Sequence, residues 1–313
     1  MPSAERTRLA VPLPSSTSPP PDKRCAANNT HESRYGAPMH FFFGDDAKQR
    51  TPTRVGMGPI IAAGGILVPG KSVRPLENEL DEACSLAGFP QHDEFKWSPG
   101  RELWMHRNLI GRERAAFFLN VLHRARSHGV RCVVAIADTS RTPATGKVPH
   151  DQDVTSLLLE RIHHRIPDDA EGCIVIVDRP TGGRTDEDDF LCNCLELIQS
   201  GTRYVKHDRI ALNVLASPSR FVRLLQLADI VTSCTAARVS GEREYSPEVF
   251  AQLVPMFTEE HGRRGGVSIK LHPDYLYANL YHWLFGDEVF VRSGGTASLP
   301  LQARYYARGE YTK

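Results

Sequence analysis

No stretch of this 313-residue sequence is apolar for long enough to cross a bilayer. The greasiest run, Pro59 to Pro69, falls far short of the ~20 residues a spanning helix needs. No charged-then-greasy leader opens the chain, so a cytoplasmic protein with no membrane partner is the expectation. Net charge is also missing, at only +1, and the first 38 residues carry more than their share of it. That leader has five bases against three acids, which leaves the remainder slightly acidic. A nucleic-acid partner would then have to be gripped by a local basic patch, because no global field is present to neutralise phosphates. Cysteine is sparse and odd in number, at seven, with no C-x-x-C pair. Structural zinc and a secreted disulfide framework are both poorly served by that pattern, whereas isolated thiols suit a reducing compartment.

Familiar catalytic signatures are absent too. Gly56-Met57-Gly58 begins a dinucleotide loop, but Ile61 stands where the third glycine is required. Gly182-Gly183 has no Gly-Lys-Ser/Thr after it, which excludes a P-loop and leaves a flexible turn. Neither a G-x-S-x-G elbow nor an H-E-x-x-H helix occurs, which argues against a serine hydrolase and a zinc peptidase.

What is present is an alternation of apolar runs and periodic segments. Residues 1–38 hold seven of the 22 prolines and a Ser/Thr/Pro run, and read as a disordered tail. Strands are expected at Phe41–Gly44, Ile60–Val68, Arg131–Ala137, Cys173–Val177 and Ile210–Leu215, which are rich in Val, Ile and Phe and closed by Gly, Pro or Asp. Helices are expected at Val73–Ala87, Arg112–His128, Val154–Ile166, Glu187–Gln199 and Phe221–Arg238, where apolar residues recur at three and four. This predicts one α/β domain over 39–313, with a partly parallel sheet of about five strands buried on both faces. The aromatic-rich stretch from about 265 is expected to pack on it as an appendage.

Carboxylates gather where α/β sheets place their chemistry, at the carboxyl ends of strands. Asp45 and Asp46 follow the first strand, Asp138 the third and Asp178 the fourth. Each alone also suits a turn or a helix cap. Asp229 interrupts the otherwise apolar run Leu224–Val231, and helical spacing puts Gln226, Thr232 and Ser233 beside it. Either that stripe faces water, or a buried carboxylate there needs donors or a cation to offset its desolvation. In Asp93-Glu94-Phe95-Lys96-Trp97, alternation sends Glu94 and Lys96 to one face, as a surface ion pair or as a metal ligand beside a phosphate-countering lysine. Convergent carboxylates of this kind suit Mg²⁺ or Mn²⁺ in phosphodiester cleavage. Trp97, Arg101, Trp104 and Arg107 interleave rings and bases, a pattern that serves nucleic acid stacking or simple core packing.

The segments Phe42-Phe43-Gly44-Asp45-Asp46-Ala47, Ala63-Gly64-Gly65-Ile66-Leu67-Val68, Glu94-Phe95-Lys96, Ile176-Val177-Asp178 and Leu227-Ala228-Asp229-Ile230-Val231, in this order, resemble the domain of unknown function 3800 family. The resemblance runs from about Met39 to Val239. It implies a ribonuclease H-like mixed sheet, its first strands antiparallel and its later strands joined by helices, and an acidic site for divalent metal. Carried over, Asp45, Glu94, Asp178 and Asp229 would be the metal ligands, and Lys96 the lysine of the E-x-K element, with Asp46 and Asp138 in reserve. The family's first motif usually reads D-E-S-G-D. Here it is Asp45-Asp46-Ala47-Lys48-Gln49, which loses the trailing acid and introduces a positive charge that would oppose a second ion. The implied activity is a metal-dependent nuclease or phosphodiesterase. The alternative is a non-catalytic interaction or sensing module on the same fold, linked to a mobile element or defence system.

Overall fold

The computed structural model describes residues 37–141, 150–292 and 295–299; the expected N-terminal tail lies almost wholly outside the described residues. Strands β1 (Met39–Gln49) and β2 (Ile60–Pro69) lead into helices α1 (Gly70–Ala87), α2 (Trp104–Asn108) and α3 (Arg112–Ser127). Then come β3 (Arg131–Asp138), α4 (His150–Arg165), β4 (Gly172–Asp178), α5 (Arg184–Ser200), β5 (Leu215–Ser217), α6 (Arg223–Ser240) and α7 (Ser246–Leu253). The last described elements are β6 (Ile269–His272), α8 (Ala278–Phe285), β7 (Val289–Arg292) and β8 (Gly295–Ser298).

The chain is α/β, with a mixed sheet of six strands in the order β5-β4-β1-β2-β3-β6. β2 runs antiparallel to both of its neighbours, β1 and β3, while β4 runs parallel to β1, β5 to β4 and β6 to β3. Alternation in each strand feeds two cores. Phe43, Ile66, Val134 and Ile136 pack with α1, α3 and α6 on one face, and Phe42, Leu67, Val133 and Val175 pack with α4 and residues of α5 on the other. From Cys132 on, every residue of β3 is buried, as a Val/Ile/Ala strand covered on both faces must be.

Three expectations are corrected. The first strand does not stop at Gly44 but continues through Gln49, because it has β2 to pair with all along: Asp45 sits opposite Gly64 and Asp46 opposite Ala63. The fifth strand is displaced from Ile210–Leu215 to Leu215–Ser217. Ile210 keeps a single bridge to Cys173, and Asn213 Oδ1 accepts the Val214 amide at 2.8 Å, drawing that donor out of any ladder. The C-terminal stretch is more than an appendage, since β6 completes the sheet beside β3.

Helix α6 is the element that matters most for the site. It is buried on nearly all sides, as its Leu, Ile, Val and Ala content dictates. Its amino end is closed from α1, where the Glu77 carboxylate accepts the amides of Arg223 and Leu224 at 2.7 and 3.1 Å. Its carboxyl end turns at Gly241, whose φ of 97° and close approach to the Arg54 backbone leave no room for a side chain.

Candidate functional site

Because β1 runs on past Gly44, alternation separates its two acids. Asp45 shares a face with Phe43, whereas Asp46 and Lys48 point to the opposite side; a cavity of about 240 Å³ against α4 and α5 is lined by all three together with Asp178 at the strand ends. Gly44 pairs with Val177, so Asp45 stands level with Asp178 on the neighbouring strand. Asp178 Oδ1 accepts the amides of Arg179 at 2.9 Å and Ser219 at 2.8 Å.

Asp229 comes to the same face from α6. It is 9% exposed, so the stripe does not face water. Its two oxygens accept the Trp97 amide at 2.7 Å and the Ser233 hydroxyl at 2.8 Å. One turn earlier, Gln226 Oε1 accepts the Phe95 amide at 3.2 Å and Nε2 donates to Ser219 O at 2.9 Å. Together these two α6 side chains act as a ladder for residues 95–97. That segment is irregular rather than a strand, but it keeps the expected alternation in that Phe95 is buried and Glu94 and Lys96 are half-buried. Ser219, in a short 3₁₀ turn before α6, also donates its hydroxyl to Glu94 Oε2 at 3.3 Å and so ties Glu94 to Asp178.

Strand register and these hydrogen bonds place the groups near one another, and their electrostatics are correspondingly linked. Burial lowers the affinity of Lys96 for its proton, but Glu94, Asp229, Asp178 and Asp45 outweigh it and hold the ammonium above its ordinary range. The lysine pairs directly with none of them among the described residues. Burial, then the charges of Asp229 and Asp178, push the Asp45 carboxyl far above the usual carboxylate range. Burial also raises Asp229, against the opposing pull of its two hydrogen bonds and of Lys96. Asp45, Glu94, Lys96, Asp178 and Asp229 therefore meet, although they lie on β1, the 93–97 segment, the end of β4 and α6.

The two reserve acids do not join them. Asp46 is on the other face. Asp138 sits two strands and four residues from Asp45, roughly 16 Å by strand spacing and rise. It is 1% exposed and saturated: it accepts the Gly58 amide at 3.0 Å, the Ser140 amide and hydroxyl at 2.9 and 2.7 Å, and a short hydrogen bond from the Tyr277 hydroxyl. Burial alone would raise it, yet these donors prevail and hold it below the usual range.

The sequence reading missed Ser219 and Arg223. The Arg223 guanidinium binds Asp81 at 2.8 Å, the Asp93 carbonyl at 2.6 Å and Gln226 Oε1 at 2.8 Å, which fixes where the 93–97 segment leaves α1 and meets α6. Neither residue has a sequence signal of its own. Gln226 and Ser233 did have one, as polar positions one turn from Asp229. The tryptophans pack as rings, with Trp97 stacked on Phe118 at 5.4 Å and Trp104 against Phe89 at 4.8 Å. Among the described residues all the cysteines are free thiols, no helix is long and apolar enough to cross a membrane, and no group of three or more His, Cys, Asp or Glu side chains forms a ready cage for a metal ion. Compared with known proteins, the chain matches no protein-family model, no curated protein and no solved structure.

Proposed function

We propose that the chain is a divalent-cation-dependent phosphodiesterase, a nuclease of ribonuclease H-like type, acting through Asp45, Glu94, Asp178 and Asp229 with Lys96. The observation that carries this reading is that strand register, the Ser219 link and the Asp229–Trp97 hydrogen bond bring four carboxylates from four separate elements near one lysine. The sheet supports it, with three antiparallel strands first and parallel strands reached through helices after, the arrangement the family resemblance implies.

The donor set fits Mg²⁺ or Mn²⁺, being all oxygen and rich in negative charge. Asp45 Oδ2, Glu94 Oε1 and Asp178 Oδ2 keep no hydrogen-bond partner among the described residues, and burial together with the charges of Asp229 and Asp178 disfavours the ionised form of Asp45 until a cation offsets it. Asp45, Glu94 and Asp178 would hold such an ion, which would supply an activated water and charge stabilisation for the leaving oxygen. Asp229, fixed by Trp97 and Ser233, keeps the 93–97 segment in place, and Lys96 neutralises charge that builds on the scissile phosphate.

A second reading is favoured by a specific feature. Both Asp229 oxygens are already engaged, and Lys96 already supplies a positive charge, so the cluster also suits a metal-free interaction or sensing module. Incubation with single- and double-stranded DNA and RNA plus Mn²⁺, beside the Asp45→Asn and Asp229→Asn variants, separates the two. Cleavage lost in both variants, together with calorimetric Mn²⁺ binding that weakens in Asp45→Asn, supports the enzyme. No Mn²⁺ binding at millimolar concentration leaves the module.

A further inference from the structure

Beyond the acidic cluster, on the same side of the sheet, lies a cleft of about 650 Å³. One wall is the Trp97–Pro99 segment with Phe118, Arg112 and Arg114 of α3; the facing wall is the turn into α7 that carries Tyr245. Its size is that of small-ligand pockets. Two rulers join it to the cluster. Along β1, Gln49 lines the cleft on the same face as Asp45, about 13 Å further on. Along α6, Asp229, Ser233 and Ala237 form one stripe at helical spacing, and Ala237 lines the cleft about 12 Å from Asp229. Trp97 belongs to both, its amide on Asp229 and the residue lining the cleft beside Phe118, on which its ring is stacked.

The lining is chemically divided. On the α3 side, Arg112 is exposed and has no ion-pair partner among the described residues. Arg114 is held by its Nε bond to the Leu109 carbonyl at 2.8 Å, which leaves its other guanidinium nitrogens available. The opposite side is acidic, but Glu242 is consumed there. Its carboxylate accepts the amides of Glu244, Tyr245 and Ser246 and so closes the start of α7. Glu244, which accepts the Tyr245 hydroxyl, and Glu248 remain on that wall, Glu248 as an acceptor suited to exocyclic amines. Tyr245 is 61% exposed, an aromatic face with little to cover it.

We propose that this cleft binds an unpaired nucleotide of a single-stranded nucleic acid, with the base against Tyr245 and the edge of Trp97, and the adjoining phosphate on Arg112 and Arg114. The inference rests on the nuclease reading for its purpose, since it places the held nucleotide on the strand being cut, one short step from the carboxylates. A base becomes available for stacking on a side chain only when it is not stacked in a duplex, so the cleft selects single strands.

The test is fluorescence anisotropy of the full chain with short fluorescein-labelled DNA and RNA oligonucleotides, single-stranded or as duplexes, in EDTA so that no cleavage intervenes. Wild type should bind single strands more tightly than duplexes. Tyr245→Ala and Arg112→Glu, both at exposed positions away from the carboxylates, should each weaken that binding at least about fivefold, the low end of what one stacked base contributes. Tyr245→Phe should restore it. Unchanged affinity in both variants, a preference for duplex, or no binding by wild type overturns the proposal. The parent reading fails separately: binding that depends on Tyr245 and Arg112 without any Mn²⁺-dependent cleavage keeps the cleft and removes the nuclease. Cleavage lost in Asp45→Asn but unaltered in KM by the cleft variants does the reverse.

Discussion

Asp45 and Asp138 look alike in sequence, each a carboxylate where an apolar strand gives out, yet the fold treats them in opposite ways. Asp138 is the more deeply buried and is held ionised by Gly58, Ser140 and Tyr277. Asp45 accepts one amide, that of Asp46, and otherwise faces Asp229 and Asp178 across the sheet surface. Burial tends to raise both, and the supply of donors decides the direction. A carboxylate whose hydrogen bonds are complete is a fastener. One surrounded by other acids is held at a cost in stability and is the better candidate for chemistry.

The sharpest way to break this contrast is to neutralise each acid in turn. Asp45→Asn is expected to lower any Mn²⁺-dependent cleavage by about 10²-fold or more, the size of effect seen when one transition-state electrostatic contact is removed. The same change relieves repulsion, so Tm should rise by about 2–4 °C, equivalent to roughly 1 kcal/mol in a domain of this size. A calorimetric scan in EDTA checks it, and a fall in Tm would show that Asp45 is a fastener after all. Asp138→Ala should do the opposite. Stability in urea should drop by about 3 kcal/mol, because Gly58, Ser140 and Tyr277 lose a charged acceptor, while activity per folded molecule holds.

Acid titration sharpens the comparison further. Asp138 has a depressed folded pKa, so its contribution is complete above the ordinary value of 3.8 and is lost as pH falls through the folded value. Asp45 has a raised one: its ionised form destabilises the fold, and that penalty fades as pH drops through its folded pKa. The stability advantage of Asp45→Asn over wild type should therefore be largest above the folded pKa of Asp45 and shrink in acid, whereas the deficit of an Asp138→Asn variant should be smallest in strong acid. Half-buried His163 and buried His207, both lowered from 6.5 chiefly by desolvation, add a loss common to every variant as pH falls below that value. Urea denaturation across this range measures it.

The smallest expected effect concerns the support beneath the cluster. Glu77→Gln keeps the shape of the cap on α6 but removes its charge, and should cost about 0.5–1 kcal/mol in urea without altering the order of the other variants.

The elements of this fold were largely readable in advance because periodicity is a local property. The first four strands and the helices α1, α3, α4, α5 and α6 lie near their expected places. What escaped was non-local. The extension of β1 through Asp45 depends on β2 offering partners, and the place of β6 depends on an exposed edge of β3. Asp45, Glu94, Lys96, Asp178 and Asp229 could be nominated from their type and position, and the structure brings them together. Asp46 and Asp138 could not be set apart from them, because facing and hydrogen-bond supply appear only when strands are paired. Ser219, which links Glu94 to Asp178, sits in a Ser-Pro-Ser turn like any other.

The closure of α6 by Glu77 has a consequence for whatever visits the site. The amino end of a helix is a natural seat for a phosphate, and on α6 that seat is taken by the protein's own carboxylate. An incoming anion gains nothing from the helix dipole and must come alongside the helix rather than head-on. Its welcome then depends on lysine, arginine or a borrowed cation, so recognition here would be switched by ionic conditions in a way that a dipole-seated phosphate would not be.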